Sequence, residues 1–548
     1  MENKSSYYAS VIWDSILGNW ECMALSNYKE NGYTYGEVAQ YIHYLDVLLD
    51  QCHVGQRNKI SIIGKNSAEW CIAYQATVLR NSVIVPILPN FTPSDVQHLI
   101  NHSDSAALFV GKNHWATLDI DQLPQLKLVI CLDDFSLLYA KEKTYEYAFG
   151  EFLQNIRKPF AKTDIRPEVI SGNDLFAIIY TSGTTGFSRG VMLTHDNVSG
   201  NLAFAIKELA LAPGKSHILS FLPLAHAYGC TIEFLFPFAS GSHIVLFGKM
   251  PTPELLIKAL MEVKPDLILS VPLIIEKIYK KKIKPILEKK LVKALLLFPP
   301  LGNLIYKRIH DKLAESFGGR FYEVIIGGAA LSEEVQTVLK RANFPFTVGY
   351  GMTECAPLIS YADWKDAKVN SCGKCVPQLE IKIDSPQPHK IPGEILVKGQ
   401  NVMQGYYKNE EATHAVLEKD GWLHTGDIAT LDKEGYIFIK GRSKSMILTS
   451  NGQNIYPEEI ESKLNTFNLV QESLVIDRKE GIVALVYPDM STVDEKHINE
   501  KTLQHVFDGY LHQLNKELPA YMRVSKIEIM SQEFEKTPKR SIKRFLYG

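Results

Sequence analysis

Short apolar runs that alternate with helical segments constrain the fold of this 548-residue chain most strongly. The runs at 59–64 and 82–88 have the length of buried strands, and the segment 94–102 has helical spacing and begins beside two capping residues, Thr92 and Ser94. Strand and helix repeated in this order predict parallel or mixed sheets covered by helices. Further strands are predicted at 106–110, 128–132, 176–180, 217–221, 243–247, 267–271 and 322–326.

The character of the sequence changes near residue 393. Short strands punctuated by glycine, at 393–399, 435–441 and 445–452, predict a more antiparallel region. We therefore predict an α/β protein with a large N-terminal domain of helix-covered mixed sheets, with subdomains, at 1–441 and a small mobile α+β C-terminal domain at 442–548. The predicted elements of the small domain are helices at 457–466 and 500–518 and strands at 474–476 and 482–487.

Composition argues against several classes of protein. Lys and Arg number 59 and Asp and Glu 61, so the formal charge of −2 offers no general attraction to nucleic acid. The N-terminus lacks the pattern of a signal peptide, and no apolar run reaches the roughly 18–20 residues of a membrane-spanning helix. The eight cysteines are spread thinly, which favours a cytoplasmic protein. Cys372 and Cys375 form an isolated C-x-x-C, which we interpret as coincidence rather than as a redox or metal site.

The segment Lys277–Lys293 is a marked charge run, with eight lysines against Glu288 within it and Glu276 directly before it. Its apolar residues recur at helical spacing. Two interpretations stay open: a solvated amphipathic helix, and a patch that contacts a partner or a membrane surface, which would place the protein peripherally at the inner membrane face.

Residues 180–191, YTSGTTGFSRGV, have the composition of a phosphate-binding loop that follows a strand. The glycines permit close backbone approach, and the hydroxyls and backbone N–H groups donate to phosphate oxygens. A Walker loop is excluded because GxxxxGK[ST] is absent, and the remaining alternative is a polar turn. The candidate phosphate ligands are Thr181, Ser182, Gly183, Thr184, Thr185, Gly186 and the cation Arg189.

Two further segments suit a nucleotide. In YGMTE, Tyr350 offers a ring to stack on adenine, Thr353 a hydroxyl for a phosphate, and Glu354 a hard oxygen for Mg²⁺. Asp427, in a TGD turn, has a carboxylate that accepts hydrogen bonds from both ribose hydroxyls. The alternative for Asp427 is an ordinary Asx turn.

Together these segments resemble the acyl-adenylate-forming superfamily of acyl-CoA synthetases, peptide-synthetase adenylation domains and luciferases. The resemblance covers the chain from about residue 60 onward and is closest to bacterial long-chain acyl-CoA synthetases, to which LPLAHAYG, VPLIIEKIYKK and the TPxxxIKR tail are similar. The matching motifs occur in the family's order: YTSGTTG, YGMTE, WLHTGD at 422–427, GYIFIKGR at 435–442 and NGQNIYPEEIE at 451–461.

The resemblance implies a role for each matching residue. Arg189, Thr353 and Glu354 are expected to be catalytic, with Mg²⁺ held by Glu354 and Thr181. His226 and Gly327 are expected beside the acyl substrate. Lys444 matches the hinge on which the family's small domain swings. The implied ATP and AMP site comprises Thr181, Ser182, Gly183, Thr184, Thr185, Gly186, Gly328, Ala329, Tyr350, Gly351, Met352, Thr353, Asp427 and Arg442.

The chain departs from the family pattern at two places. The phosphate loop has Ser188–Arg189–Gly190 where PKG is usual, which keeps the charge and changes its shape. Near the C-terminus, Ser541 stands where the family has a lysine that bridges the substrate carboxylate and the α-phosphate. Lys543 or Arg540 is the candidate substitute, and the alternative is a surface basic tail.

The implied reaction is acid + ATP + CoA → acyl-CoA + AMP + pyrophosphate, with Mg²⁺ as cofactor. The resemblance implies a long-chain fatty acid as the substrate, and the sequence leaves its exact chain length open. Two other functions stay open: an acyl-AMP ligase that loads a separate carrier protein, and a non-catalytic adenylate-binding homologue. The oligomeric state stays open as well.

Overall fold

An eight-stranded sheet forms the centre of the computed structural model, which describes residues 6–181, 189–248, 252–448, 454–478, 481–537 and 541–548. Five neighbouring strands of this sheet are parallel. Ile84 enters one hydrophobic cluster while Val83 and Val85 enter another, so the sheet is buried on both faces. In spatial order its strands are Gly405–Tyr406, Arg189–Thr194, Leu175–Thr181, Val83–Ile87, Lys59–Ile63, Ser105–Val110, Leu128–Cys131 and Leu137–Ala140.

Two smaller sheets of mostly parallel strands complete the α/β part. One contains His217–Ser220, His243–Leu246 and Met23–Asn27, with Gly32–Thr34 as an antiparallel edge. The other contains the parallel strands Leu267–Ser270, Glu323–Ile326 and Phe346–Val348. All the predicted strands up to residue 326 are present, with ends that differ by a residue or two.

Antiparallel sheets follow, as the glycine-punctuated sequence predicts. Their strands are Tyr350–Gly351, Leu358–Tyr361 and Lys374–Cys375 in one sheet, and Leu379–Asp384, Gly393–Gly399, Leu423–Leu431 and Ile437–Arg442 in another.

Helices cover the sheets of the N-terminal part. The predicted helix at 94–102 is confirmed as Pro93–His102, and Thr92 caps it in a capping box with Asp95. The other helices are Tyr7–Gly18, Tyr35–Gln51, Ala68–Leu79, Lys112–Trp115, Lys143–Asn155, His195–Glu208, Ala227–Gly229, Phe236–Ala239, Pro253–Val263, Pro272–Ile278, Lys284–Leu287, Lys290–Leu295, Pro299–Ser316, Glu333–Arg341 and Glu410–His414, with π-helical turns at Cys230–Leu235 and Tyr279–Ile283.

The C-terminal domain has a hydrophobic core of its own, in which Ile460, Phe507 and Leu514 are fully buried. The α/β class with a smaller C-terminal domain is thereby confirmed, while the exact boundary at 441 stays a prediction. Its strands are Ile447–Leu448, Asn454–Ile455, Val470–Arg478, Gly481–Pro488 and Lys526–Ile529, and its helices are Pro457–Leu464, Met490–Glu495 and Glu500–Glu517.

Within the described ranges, none of the helices combines the length and the apolar character needed to cross a membrane.

Packing divides the lysine run Lys277–Lys293 into two parts. Lys280 and Lys284 turn towards the C-terminal domain, where their Nζ atoms donate to the carbonyl oxygens of Val470 at 3.0 Å and Thr466 at 2.8 Å. Burial lowers the pKa of Lys280 to about 8. The run is therefore not one solvated helix, because its first part forms a contact between the domains.

Replacing Lys280 and Lys284 by methionine should loosen the docking of the C-terminal domain. Each substitution would remove a charge-assisted hydrogen bond to a carbonyl oxygen of the C-terminal domain, which contributes about 1.5–3 kcal/mol. Hydrogen exchange of the amides around Thr466–Val470 should then become about tenfold faster or more. Lys281→Met is the matched control, because Lys281 pairs with the exposed Glu254 at 3.6 Å instead. Equal exchange rates in the two variants would contradict the role of Lys280 and Lys284 in the contact between the domains.

Candidate functional site

Two loops leave the carboxyl edge of the same parallel sheet. Strand Glu323–Ile326 leads into Gly327–Ala329, and its neighbour Phe346–Val348 leads into Tyr350. Gly328 has φ +86°, in the left-handed region that favours glycine. Since ligands of α/β proteins bind outside the carboxyl ends of parallel strands, the residues expected around adenine lie where the fold favours a ligand.

Asp427 contacts two other predicted nucleotide residues, Tyr350 and Arg442. Its carboxylate accepts a hydrogen bond from the Tyr350 hydroxyl at 2.7 Å, and Arg442 Nε lies 3.0 Å from its other oxygen. Asp427 and Arg442 are directly paired across adjacent strands. Burial raises the pKa of Asp427, which is 4% exposed, and the Arg442 guanidinium lowers it in part. The predicted adenine and ribose contacts thus form one cluster.

Glu354 and Arg189 meet at Tyr406, a residue that the sequence motifs missed. The Tyr406 hydroxyl donates to Glu354 Oε1 at 2.9 Å, and the Arg189 guanidinium carbon lies 5.3 Å from the centre of the Tyr406 ring. Tyr406 reaches this position because its short strand pairs with the strand that starts at Arg189. The charge of Glu354 also raises the pKa of Asp427, so the two clusters share one electrostatic site.

The residues present fit a magnesium ion bound mainly through a nucleotide. Glu354 contributes a half-buried carboxylate beside a buried Thr353. Thr181 lies directly across the strand pair from Arg189, to whose carbonyl its hydroxyl donates at 3.4 Å. Mg²⁺ commonly takes one or two protein oxygens and completes its shell with phosphate oxygens and water.

Part of the predicted phosphate loop and tail lies outside the described residues: Ser182, Gly183, Thr184, Thr185, Gly186 and Arg540. The described ends of the loop, Thr181 and Arg189, are paired strand residues. Met352 is half-buried and Gly351 is exposed in the segment that connects Tyr350 to Glu354.

Tyr228 links the two predicted acyl-substrate residues. His226 begins the turn Ala227–Gly229, and its Nδ1 accepts from the backbone N–H of Tyr228 at 3.3 Å. The Tyr228 hydroxyl donates to the carbonyl of Ile325 at 3.1 Å. A Cβ added to Gly327 would lie 3.0 Å from the Tyr228 ring, so a larger residue at Gly327 would displace that ring. His226 and Gly327 therefore lie on either side of one tyrosine.

Glu233 is a second residue that the motifs missed. It lies in the π-helical turn after LPLAHAYG and is fully buried. Its Oε2 accepts hydrogen bonds from Ser220 Oγ and from the backbone N–H groups of Phe221 and Leu222 at 2.9–3.0 Å. Burial raises the pKa of Glu233 well above 4.5, and the three hydrogen bonds that its carboxyl group accepts hold the start of the His226 loop.

The C-terminal tail folds back on its own domain. The main chains of Lys536 and Ile542 form an antiparallel bridge, and Lys543 Nζ lies 3.4 Å from Glu535. Arg544 pairs with Glu461 of helix Pro457–Leu464. Lys543 is thus engaged within the C-terminal domain, and its catalytic role stays a prediction.

Lys444 lies in a single 3₁₀ turn, Ser443–Ser445, that follows the strand Ile437–Arg442, and its side chain is exposed. Its position between the two domains suits a hinge, which stays a prediction. The thiols of the C-x-x-C are buried or half-buried, and burial raises the pKa of Cys372 to about 12 and that of Cys375 to about 11. With these pKa values both residues remain protonated thiols at neutral pH. Because only the thiolate is nucleophilic, neither residue suits a redox or metal site.

The sequence matches the AMP-binding enzyme family over residues 19–407 and the AMP-binding enzyme C-terminal domain over residues 444–546. The chain belongs to the AMP-binding enzyme family.

Relatives agree with this family assignment, and solved structures agree with the fold. The chain is 30% identical to the mouse long-chain-fatty-acid–CoA ligase 6, over 87% of this chain and 72% of the relative. It is 29% identical to a long-chain-fatty-acid–CoA ligase of Escherichia coli O6:H1, over 77% and 74% of the two chains. An o-succinylbenzoate coenzyme A synthetase from Bacillus subtilis, solved with ATP and a magnesium ion, has the same fold, with a TM-score of 0.74, 20% identity and 98% of both chains covered.

Tyr406→Phe should slow ATP–pyrophosphate exchange about tenfold, because Glu354 would lose the hydroxyl that orients its carboxylate. Tyr406→Leu should slow it further, since Arg189 would also lose the aromatic ring. Tyr407→Phe is the matched control, because the neighbouring Tyr407 hydroxyl bonds Asp104 at 2.7 Å. Exchange that falls equally in the Tyr406→Phe and Tyr407→Phe variants would rule out a specific role for Tyr406.

Glu233→Gln should remove part of the pH dependence of stability. Folded Glu233 keeps a proton that the unfolded chain releases above about pH 4.5, so its contribution to the free energy of unfolding decreases as pH rises, by up to about 1.4 kcal/mol per pH unit. The free energy of unfolding, measured with urea, should therefore decrease less between pH 6 and pH 8 in the variant than in the unchanged protein. Glu380→Gln, at an exposed position, is the control. An unchanged decrease in Glu233→Gln would show that Glu233 is already ionised.

Proposed function

We propose that this enzyme activates a long-chain fatty acid as acyl-AMP and transfers the acyl group to coenzyme A. The observation that supports the proposal is that Asp427, Tyr350 and Arg442, the proposed nucleotide contacts, share one electrostatic site with the carboxylate of Glu354 and the cation Arg189. The names of the mouse and E. coli relatives support the class of acid and the thiol acceptor.

In the first step a carboxylate oxygen of the fatty acid attacks the α-phosphorus of ATP, and pyrophosphate leaves in line. Catalysis of phosphoryl and nucleotidyl transfer depends on positioning and on preorganised positive charge. Tyr350 and Gly327–Ala329 position the adenine, Asp427 and Arg442 bind the ribose, and Arg189 stabilises the phosphate charge. Glu354 would hold Mg²⁺, and the ion would supply positive charge that neutralises the phosphates.

In the second step the thiol of coenzyme A attacks the carbonyl carbon of the mixed anhydride, and AMP leaves. His226 and Gly327, linked through Tyr228, line the acyl side of the site in this proposal. We assign Lys444 as the hinge that lets the C-terminal domain present different surfaces to the two steps. Lys543 or Arg540 is the proposed tail cation of the first step, in place of the lysine that Ser541 replaces.

The proposed partners are the fatty acid, ATP and coenzyme A, with no nucleic acid. We propose a cytoplasmic location, because all eight cysteines are free thiols and a reducing compartment preserves them.

An ATP–pyrophosphate exchange assay over saturated acids of increasing chain length tests the function. We expect exchange to be fastest with long-chain acids, and added coenzyme A to give the acyl thioester. Asp427→Asn should suppress exchange by weakening nucleotide binding, whereas Asp432→Asn should not, since Asp432 pairs with Lys368 at 2.7 Å.

Three results would contradict the proposal. Fastest exchange with short acids would overturn the substrate class. Exchange without thioester formation from coenzyme A, but with transfer to a carrier protein, would identify an acyl-AMP ligase. ATP binding without exchange for any acid would identify a non-catalytic homologue.

A further inference from the structure

A helical hairpin at residues 289–308, called the basic hairpin below, exposes large apolar side chains. Helix Lys290–Leu295 buries none of its residues, and helix Pro299–Ser316 buries mainly its second half against the rest of the domain. Leu297 is 80% exposed, Leu291 73% and Phe298 61%. Leu301 and Leu304 are exposed as well, so five large apolar residues lie exposed within fourteen positions. Contiguous exposed apolar surface of this kind marks an interaction site.

Basic residues accompany this apolar surface. The stretch from 289 to 308 contains four lysines and one arginine and no acidic residue. All five side chains are exposed: Lys289, Lys290, Lys293, Lys307 and Arg308. The basic hairpin is therefore strongly positive, although the chain as a whole carries a formal charge of −2.

Helical geometry puts the apolar and basic groups on the same outer surface. Leu301, Leu304 and Arg308 are spaced i, i+3 and i+7 and share one face of the helix Pro299–Ser316. Ile309 and Leu313 of the same helix are buried, so a different face of the helix packs against the protein. Leu297 and Phe298 form the turn at the tip. Apolar side chains at a tip with cations along the flanks are typical of elements that lie in a lipid interface.

We propose that the basic hairpin docks the enzyme on an anionic lipid bilayer, with Leu297 and Phe298 inserted among the headgroups. An anionic bilayer complements both properties of the surface, since it offers apolar depth and negative charge. A second copy of the chain is a poorer occupant, because pairing two basic hairpins brings like charges together. The inference concerns a surface outside the nucleotide site and does not depend on the proposed acid.

The structure also shows which lysines of the run Lys277–Lys293 can contact a membrane. Lys280 and Lys284 donate to main-chain carbonyls of the C-terminal domain and are unavailable to lipid. The docking surface therefore starts at Lys289 and extends beyond the run, to Arg308.

Co-sedimentation of the full chain with vesicles tests the proposal, without ATP or acid. We expect stronger binding to phosphatidylcholine–phosphatidylglycerol vesicles than to phosphatidylcholine alone. Leu297→Glu with Phe298→Glu should lower the partition coefficient at least tenfold. The double change Lys290→Gln with Lys293→Gln should lower the partition coefficient on the anionic vesicles by about fivefold per lysine. Binding to phosphatidylcholine alone should stay the same. Tyr147→Glu is the matched control, since Tyr147 is 67% exposed on another helix.

Retained ATP–pyrophosphate exchange and an unchanged circular dichroism spectrum should show that the variants fold. Equal sedimentation of the chain and the Leu297→Glu, Phe298→Glu variant would overturn the proposal. It would also be overturned if the chain dimerised in light scattering and the same variant were monomeric, since the occupant would then be a second copy.

Discussion

The buried carboxylate of Asp427 is the group on which the candidate site depends. A carboxylate shielded from water is costly unless the protein supplies partners, and here the Tyr350 hydroxyl and the Arg442 guanidinium supply them. Each partner comes from a different segment, one after a parallel strand and one across an antiparallel pair. The need to satisfy one charge thus ties the parallel part of the fold to the antiparallel part at the place where a nucleotide would bind.

The same principle explains how the rest of the site is connected. Tyr406 donates a hydrogen bond to Glu354, and its ring contacts Arg189. Tyr228 joins the His226 loop to the strand before Gly327. Tyrosine suits these positions because its ring fills apolar space and its hydroxyl reaches a polar partner. The proposed catalytic and binding groups are consequently held by Tyr406 and Tyr228, aromatic side chains that take no direct part in the proposed chemistry.

The lysine-rich segment shows how packing separates residues that look alike in sequence. Lys280 is buried against the C-terminal domain, whereas Lys290 is exposed at the start of a helix that buries none of its residues. Composition cannot distinguish the two lysines, because their neighbours in space come from distant parts of the chain. A domain contact and a docking surface therefore arise from one continuous charge run.

The sequence by itself determined the α/β class, the strands up to residue 326 and the helix capped by Thr92, and it predicted the nucleotide residues, since periodicity, capping and ordered motifs are local properties. Tertiary structure decided which of those residues meet. Tyr406 and Glu354 are 52 positions apart, and Tyr350 and Asp427 are 77 apart. Such contacts depend on strand order and sheet pairing, which bring distant segments together and which no local pattern encodes.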